Sequence, residues 1–396
     1  MKKIKSTLSL LLLSTLGLQA QINFEHTSFN ELKQKAKAEN KLIMIDAFTT
    51  WCGPCKWMAS NTFTNKTVGS YFNSNYVNAK IDMEKGEGLE LAKKYEVMAY
   101  PTILFVNADG KLVHRSVGSM DSIDFITLGK DALNPEKQFG TFQDKYVSGN
   151  KDETFLASYI YKADAAGLDP KKAVDDYFKT QKIENYTSQI NWNILRDFVS
   201  KKSNPQLKYL VKNKQAFTDK YTKDSVNNKI EEVYATELRR LVYAKKIDAV
   251  AYKATKTEFS ALKLPNADKL ITLSDLSLHQ KNKNGALYGK TAINYFDKYA
   301  STNANEINEV AYNVYELSND KMALAKAEDW AKTAVQLSKS DPMIMDTYAC
   351  LLSKNNKKQQ AIEVEKDAIN LIKNNSDKYD ASVIPDFEKN IENWGK

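Results

Sequence analysis

Between residues 24 and 133 the hydrophobic pattern changes period several times, and Gly, Asp or Pro marks most changes. Ser28-x-x-Glu31 is a capping box that predicts a helix through about Glu39. The unbroken apolar run Leu42-Ile43-Met44-Ile45 then predicts a strand buried on both faces, and a short helix opens at Gly53. Residues 76–82 read as a second strand and 89–95 as a helix. Residues 102–106 and 111–117 form a predicted hairpin that turns at Asp109-Gly110, and a helix covers about 121–133. Strand, helix and strand followed by a hairpin and a helix imply an α/β fold: a mixed sheet with helices on both faces.

The pattern changes character after about residue 150. Nine glycines lie from Gly53 to Gly149, whereas between Gly167 and Gly395 there are only Gly285 and Gly289. Lys/Glu/Ala/Leu-rich segments with apolar residues at helical spacing fill 150–396. Asp169-Pro170 and Asp341-Pro342 read as N-caps followed by Pro at the first helical position. In the last seventy residues a shift of 34 lays Leu317 on Leu351, Ala327 on Ala361, Ala334 on Ala368 and Leu337 on Leu371. This resembles tetratricopeptide units, although Tyr315 fills a close-contact position and that family's Trp and Gly are missing, so a generic solenoid of helical pairs is the alternative. The expected organisation is an α/β domain at 22–140, a helical domain at 150–305 and tetratricopeptide-like repeats at 306–396, an all-α, solenoid-like second part.

Residues 1–20 stand apart: Lys2, Lys3 and Lys5, an apolar run from Leu8 to Leu18, then Gln19-Ala20. The run is about half of what a bilayer-spanning helix needs, and Ala20 suits a cleavage site, so a signal peptide removed after Ala20 is expected. The mature protein is then periplasmic or secreted, where disulfide chemistry is possible. The chain of 396 residues is 42% hydrophobic and 27% charged, which excludes a disordered chain, and its 3 Cys exclude a disulfide scaffold. Its formal charge of +8 falls by three without the leader lysines, too mild and scattered to argue for nucleic acid or anionic membrane.

The chemistry concentrates in Trp51-Cys52-Gly53-Pro54-Cys55-Lys56, after the buried strand and at the opening of a helix. Two cysteines three apart share one helix face, close enough for a disulfide, and Cys52 meets the free N–H groups of the first turn. Lowering a thiol from about 8.5 to about 7 takes about 2 kcal/mol, while a helix terminus supplies about 0.3–1 kcal/mol. A second donor is needed, and the S–H of Cys55 is the candidate. Cys52 is therefore expected to be the exposed nucleophile and Cys55 the buried resolving thiol. Asp46 interrupts the apolar strand, so its carboxyl should be costly to bury as a charge and able to exchange protons near neutrality with Cys55. The bland alternatives are an Asp that caps a local turn and a Cys pair that is a structural disulfide or half of a zinc site. Zinc is disfavoured because His26, His114 and His279 lack ligand spacing, and Cys350 reads as a small buried residue in a helical repeat. No metal or cofactor is expected, and no phosphate loop, HExxH or Ser/His/Asp set is present.

These residues resemble the thioredoxin superfamily over about 24–133. The Trp-Cys-Gly-Pro-Cys-Lys motif stands intact at 51–56, the buried aspartate matches Asp46, the lysine of the next strand matches Lys80, and the cis-proline motif matches Pro101-Thr102. The stretch from Cys55 to Phe72 looks most like periplasmic domains of thiol-disulfide interchange proteins that take electrons from a membrane partner. The resemblance implies that Trp51, Gly53, Pro54, Tyr100 and Pro101 meet the client and that Lys80 is the electrostatic partner of Asp46. Trp51 and Tyr100 as core aromatics, and Lys80 as a solvated strand residue, are the alternatives. Tyr100 departs from the aliphatic residue common before that proline, and the loop at 85–88 is a further local difference. A Pro at the start of a central strand removes a donor and leaves the preceding backbone groups free to pair with an extended client.

The expected function is an exported thiol-disulfide oxidoreductase that reduces client disulfides, with the helical region docking partners: proteins bearing disulfides or thiols, and a membrane or soluble redox partner. A disulfide oxidase or isomerase, and a helical adaptor or chaperone with a secondary redox domain, are the rivals.

Overall fold

A computed structural model describes residues 21–396, so the expected signal peptide at 1–20 lies outside the described residues. The chain divides into two compact units, one ending at Phe198 and the other spanning Val199–Lys396.

The first unit is built on five strands: β1 (Phe24–Glu25), β2 (Leu42–Phe48), β3 (Tyr76–Asp82), β4 (Thr102–Val106) and β5 (Leu112–Val117), in the spatial order β1-β3-β2-β4-β5. β3 runs parallel to β1 and β2, whereas β4 is antiparallel to β2 and β5. The central strand β2 is covered on both sides, as its apolar run requires. Ile43, Ile45 and Ala47 pack with Phe29, Leu32 and Ala36 of α1 (Phe29–Glu39) and Leu91 of the helix Gly88–Lys94. On the opposite face Met44 packs with Met58 of α2 (Gly53–Asn61), Phe72 of α3 (Lys66–Asn75) and Phe125 of the helix Ser122–Ala132. Phe72 and Phe125 stack at 4.1 Å between ring centroids.

Local signals behave as their chemistry dictates. Ser28 caps α1 reciprocally with Glu31. Gly110 adopts φ +79° in the turn between β4 and β5, a conformation that L side chains resist. Helix α3 and strand β1 had no sequence expectation. Asn65 starts α3 by accepting from the N–H groups of Thr67 and Val68 at 2.9 and 3.3 Å.

Beyond residue 133 the chain stays against the sheet. The helix Phe139–Val147 begins with the Phe139 N–H donating to His114 Nδ1 of β5 at 3.0 Å. A Cβ on Gly140 would stand 2.8 Å from the Leu112 carbonyl oxygen, so only glycine permits this approach. Burial holds the His114 imidazole down at about 4, against an ordinary value of 6.5. Between those values the unfolded chain binds a proton that the folded chain does not, so stability present in full above pH 6.5 is lost as pH falls toward 4. Protonation also removes the acceptor that starts this helix. His114→Asn, which keeps an acceptor and removes the titration, should flatten the fall in melting temperature between pH 7 and pH 4.5 relative to the native protein. Thermal melts at the two pH values check this.

The second unit is helical, and its later part consists of antiparallel pairs: Ala304–Leu317 with Lys321–Leu337, and Pro342–Lys354 with Lys358–Asn374. First helices begin 38 residues apart and second helices 37 apart. The sequence shift of 34 is therefore one helical turn short of the structural repeat. A slip of three or four residues keeps the same helix face in register, which is why small residues such as Ala327 and Ala361 still coincided. Ala334, Ala349, Ala361 and Ala368 are all fully buried. Cys350 is buried among these helices with its Sγ 3.8 Å from Asp346 Oδ1, and burial pushes its thiol far up, away from the thiolate.

Candidate redox site

The site forms where β2 ends and α2 begins. Cys52 is the N-cap of α2: its backbone is extended at φ −68°, ψ 109°, and its Sγ accepts the N–H of Cys55 at 3.1 Å. Pro54 lies in the first turn, where a missing N–H costs nothing. Cys52 and Cys55 form a disulfide with Cα atoms 5.3 Å apart. Each is only 2% exposed. The expectation of an exposed Cys52 beside a buried Cys55 is thus corrected for the oxidised form, because the S–S bond places each sulfur against the other. Gly53 and Pro54 between them remain exposed.

Asp46 lies on β2 on the same face as Met44, the face that packs against α2. Its residue pair on β3 is Lys80, and the Lys80 Nζ stands 3.5 Å from Asp46 Oδ2. Asp46 is fully buried, and neither carboxylate oxygen has a close hydrogen-bond donor among the described residues. Burial raises its carboxyl to about 6 from an ordinary 3.8, and the Lys80 cation limits the rise. Lys80 also lies over the Phe48 ring at 4.8 Å, so aromatic faces and the carboxylate together hold the ammonium.

An aromatic pair adjoins the start of α2 through Trp51, the residue before the N-cap Cys52. Trp51 is 65% exposed, which removes the core-aromatic alternative for it. Its indole N–H donates to Glu84 Oε2 at 2.9 Å, and its ring meets Tyr100 edge to face at 5.9 Å. Tyr100 is half-buried; burial, then the Glu84 and Asp82 carboxylates, push its phenol up. The Tyr100–Pro101 bond is cis, and the Pro101 carbonyl accepts from Gly118 N–H at 2.9 Å. The amide and carbonyl of Tyr100 itself take no backbone partner among the described residues.

The structure thus brings Asp46 to Lys80, Cys52 to Cys55 and Trp51 to Tyr100. Glu84 escaped sequence reasoning because one acidic residue in a charged loop carries no pattern. Thr49 escaped it too: its carbonyl accepts from Cys52 N–H at 3.3 Å while its buried hydroxyl has no partner among the described residues. Among the described residues no group of three or more His, Cys, Asp or Glu side chains could hold a metal ion.

Comparison with known proteins places this site in context. The thioredoxin family matches residues 22–128. Thioredoxin-1 of Drosophila melanogaster is 40% identical over 80 residues, which are 20% of this chain and 70% of that protein. The thiol:disulfide interchange protein DsbD of Yersinia pestis is 32% identical over 94 residues, 23% of this chain but only 16% of that protein. Among solved structures, a candidate disulphide-isomerase from Bacteroides thetaiotaomicron is 48% identical and covers 29% of this chain and 97% of that one, with a TM-score of 0.28.

Proposed function

Because this chain belongs to the thioredoxin family and is a thiol-disulfide oxidoreductase, we propose that it is an exported enzyme that reduces protein disulfides through Cys52 and Cys55. The observation that carries this reading is the Cys52–Cys55 pair at the first turn of α2, with the Cys55 N–H on Cys52 Sγ, on the sheet face where Asp46 is buried. That N–H is one of the donors that can stabilise a thiolate at Cys52 in the reduced protein. Export rests on the pattern of residues 1–20.

In the reduced enzyme the Cys52 thiolate attacks one sulfur of the client. The client's S–S bond breaks, its second sulfur leaves as a thiolate, and a mixed disulfide joins Cys52 to the client. Cys55 passes its proton to Asp46 and attacks Cys52 Sγ, breaking the mixed disulfide. The client leaves with two electrons gained as a pair of sulfurs that take up one proton returned by Asp46 and one from solvent, and the enzyme is left with the Cys52–Cys55 disulfide. Lys80 acts through Asp46, moderating how far burial raises its carboxyl. Trp51, Gly53, Pro54, Tyr100 and Pro101 border the client's path, and the unpaired backbone of Tyr100 suits pairing with an extended segment. A thiol-bearing partner, soluble or membrane-held, returns the electrons, and the helical pairs of the second unit offer an extended docking surface.

The direction of electron flow is tested by the reduction potential of the Cys52/Cys55 couple, equilibrated against glutathione and dithiothreitol buffers. A value near about −270 mV fits a reductase, whereas one near about −120 mV makes the protein an oxidant and overturns this part of the reading.

A further inference from the structure

Two dissimilar features border the segment that carries the disulfide. One is the Trp51–Tyr100 pair, tied by the indole N–H to Glu84. The other is a groove of about 400 Å³ lined by Gly53, Pro54, Trp57, Ser119, Met120 and Asp121. Its floor is fixed. The Thr62 hydroxyl donates to the Met120 carbonyl at 2.7 Å, and Asp121 Oδ1 accepts the N–H groups of Ile123 and Asp124 at 2.8 and 2.9 Å. Its mouth is open. Trp57 is 47% exposed, and among the described residues no atom beyond the chain neighbours and helix backbone of Gly53 lies within 4 Å of where a Cβ on it would stand. A tryptophan kept half in water forgoes much of the large burial gain its ring could make, and that gain is available to whatever fills the groove.

The groove starts at Gly53 and Pro54, the two residues between the cysteines, so it is continuous with the point of attack. Trp57 follows Cys52 by five positions in a helix, about 7 Å along the axis at about 1.5 Å per residue. An extended segment advances about 3.3–3.6 Å per residue, so a side chain two residues from a cysteine bonded to Cys52 reaches Trp57. The charged group in the lining is the carboxylate of Asp121, which repels an acidic neighbour.

On the basis of the oxidoreductase reading above, we propose that this groove is the specificity pocket of the redox site. It accepts a large apolar side chain within two residues of the substrate's cysteine and disfavours an acidic one. The occupant is a peptide segment of the substrate, because only a partner already joined to Cys52 brings its neighbouring residues over Gly53 and Pro54.

The test uses the full chain, a small dithiol as reductant, and three disulfide-linked peptides that carry Leu, Ser or Glu two residues from the cysteine. The native protein should favour Leu over Ser by about tenfold in kcat/KM, and Ser over Glu. Trp57→Ala should bring the Leu peptide down to the Ser peptide through KM, with the reduction potential of the Cys52/Cys55 couple unmoved, and Trp57→Phe should recover most of the preference. Met120→Ala should weaken it in the same direction. Equal turnover of the three peptides by the native protein, or an unchanged preference in Trp57→Ala, overturns the pocket while the oxidoreductase reading stands. If Trp57→Ala instead only converts a dimer to a monomer, a second copy is the occupant and the proposal fails. Absence of turnover with every peptide sinks the oxidoreductase reading and the pocket with it.

Discussion

Cys52→Ser should abolish turnover of disulfide substrates, a loss of several orders of magnitude, whereas Cys55→Ser should halt the reaction after one bond exchange and leave the substrate attached to Cys52. The two outcomes differ because the two sulfurs occupy different places on α2. Cys52 is the N-cap, and its Sγ takes the Cys55 N–H. A serine hydroxyl at position 52 accepts the same hydrogen bond, so the helix start survives while the nucleophile is lost. Its hydroxyl is too weak an acid to form the anion that attacks sulfur at neutral pH. Position 55 lies inside the first turn and is buried. A serine there can bond back to the carbonyl one turn earlier, so the fold again persists, yet nothing remains to expel the substrate from Cys52. Mass spectrometry after mixing with a disulfide-bridged peptide separates the cases. Cys55→Ser gains the mass of the peptide and loses it on adding dithiothreitol, and Cys52→Ser gains nothing. Melting in dithiothreitol, where no variant carries the cross-link, should place both within about 1–2 kcal/mol of the native protein. An adduct on Cys52→Ser, or none on Cys55→Ser, would reverse the roles assigned to the two sulfurs.

How much of this site the sequence displays depends on how local its physics is. The capping box of α1, the apolar run of β2, the turn at Gly110 and the Cys pair at a helix start each show within six or seven residues, and each occurs where its pattern places it. Asp46 was legible for the same reason, as one carboxyl in an apolar strand. Its raised pKa follows from burial, and the pairing with Lys80, which the family resemblance implied and no local pattern displays, is made by the register of two strands. Glu84 reaches Trp51 across 33 positions, and Phe139 reaches His114 across 25, with no periodicity to announce either contact. The helical repeat failed in a more instructive way. Small residues on one helix face recur whether a comparison is in register or one turn out, so the pattern fixed the face and missed the length of the unit. The burial of Cys52 was beyond sequence reasoning, because no local pattern shows how the chain packs around the closed disulfide.

Asp46→Asn should slow the enzyme and stabilise it at once, and the pH dependence of each effect identifies the cause. The Asp46 carboxyl sits at about 6 in the folded chain against an ordinary 3.8. A group raised by folding contributes its stability in full below the lower value and loses it as pH rises through the higher one. At pH 7 the folded chain therefore carries the cost of a buried carboxylate, about 3 kcal/mol at about 1.4 kcal/mol per pH unit. Asparagine removes that cost but leaves Lys80 facing a neutral amide, so the net gain should be about 1–2 kcal/mol, present at pH 7–8 and gone by pH 4. Activity moves the other way, because the amide cannot take the proton from Cys55. Loss of a positioned base costs about 10²–10⁴-fold in the step it serves. In the native protein the release of a mixed disulfide should slow as pH falls through about 6, where Asp46 becomes protonated. In Asp46→Asn it should already be slow at pH 7 and show no inflection near 6. Denaturant melts at pH 4 and pH 7.5, paired with stopped-flow release from the mixed disulfide over the same range, measure both limbs. A variant that gained stability yet kept the native rate at pH 7 would show that Cys55 loses its proton to solvent and that Asp46 is only a buried charge.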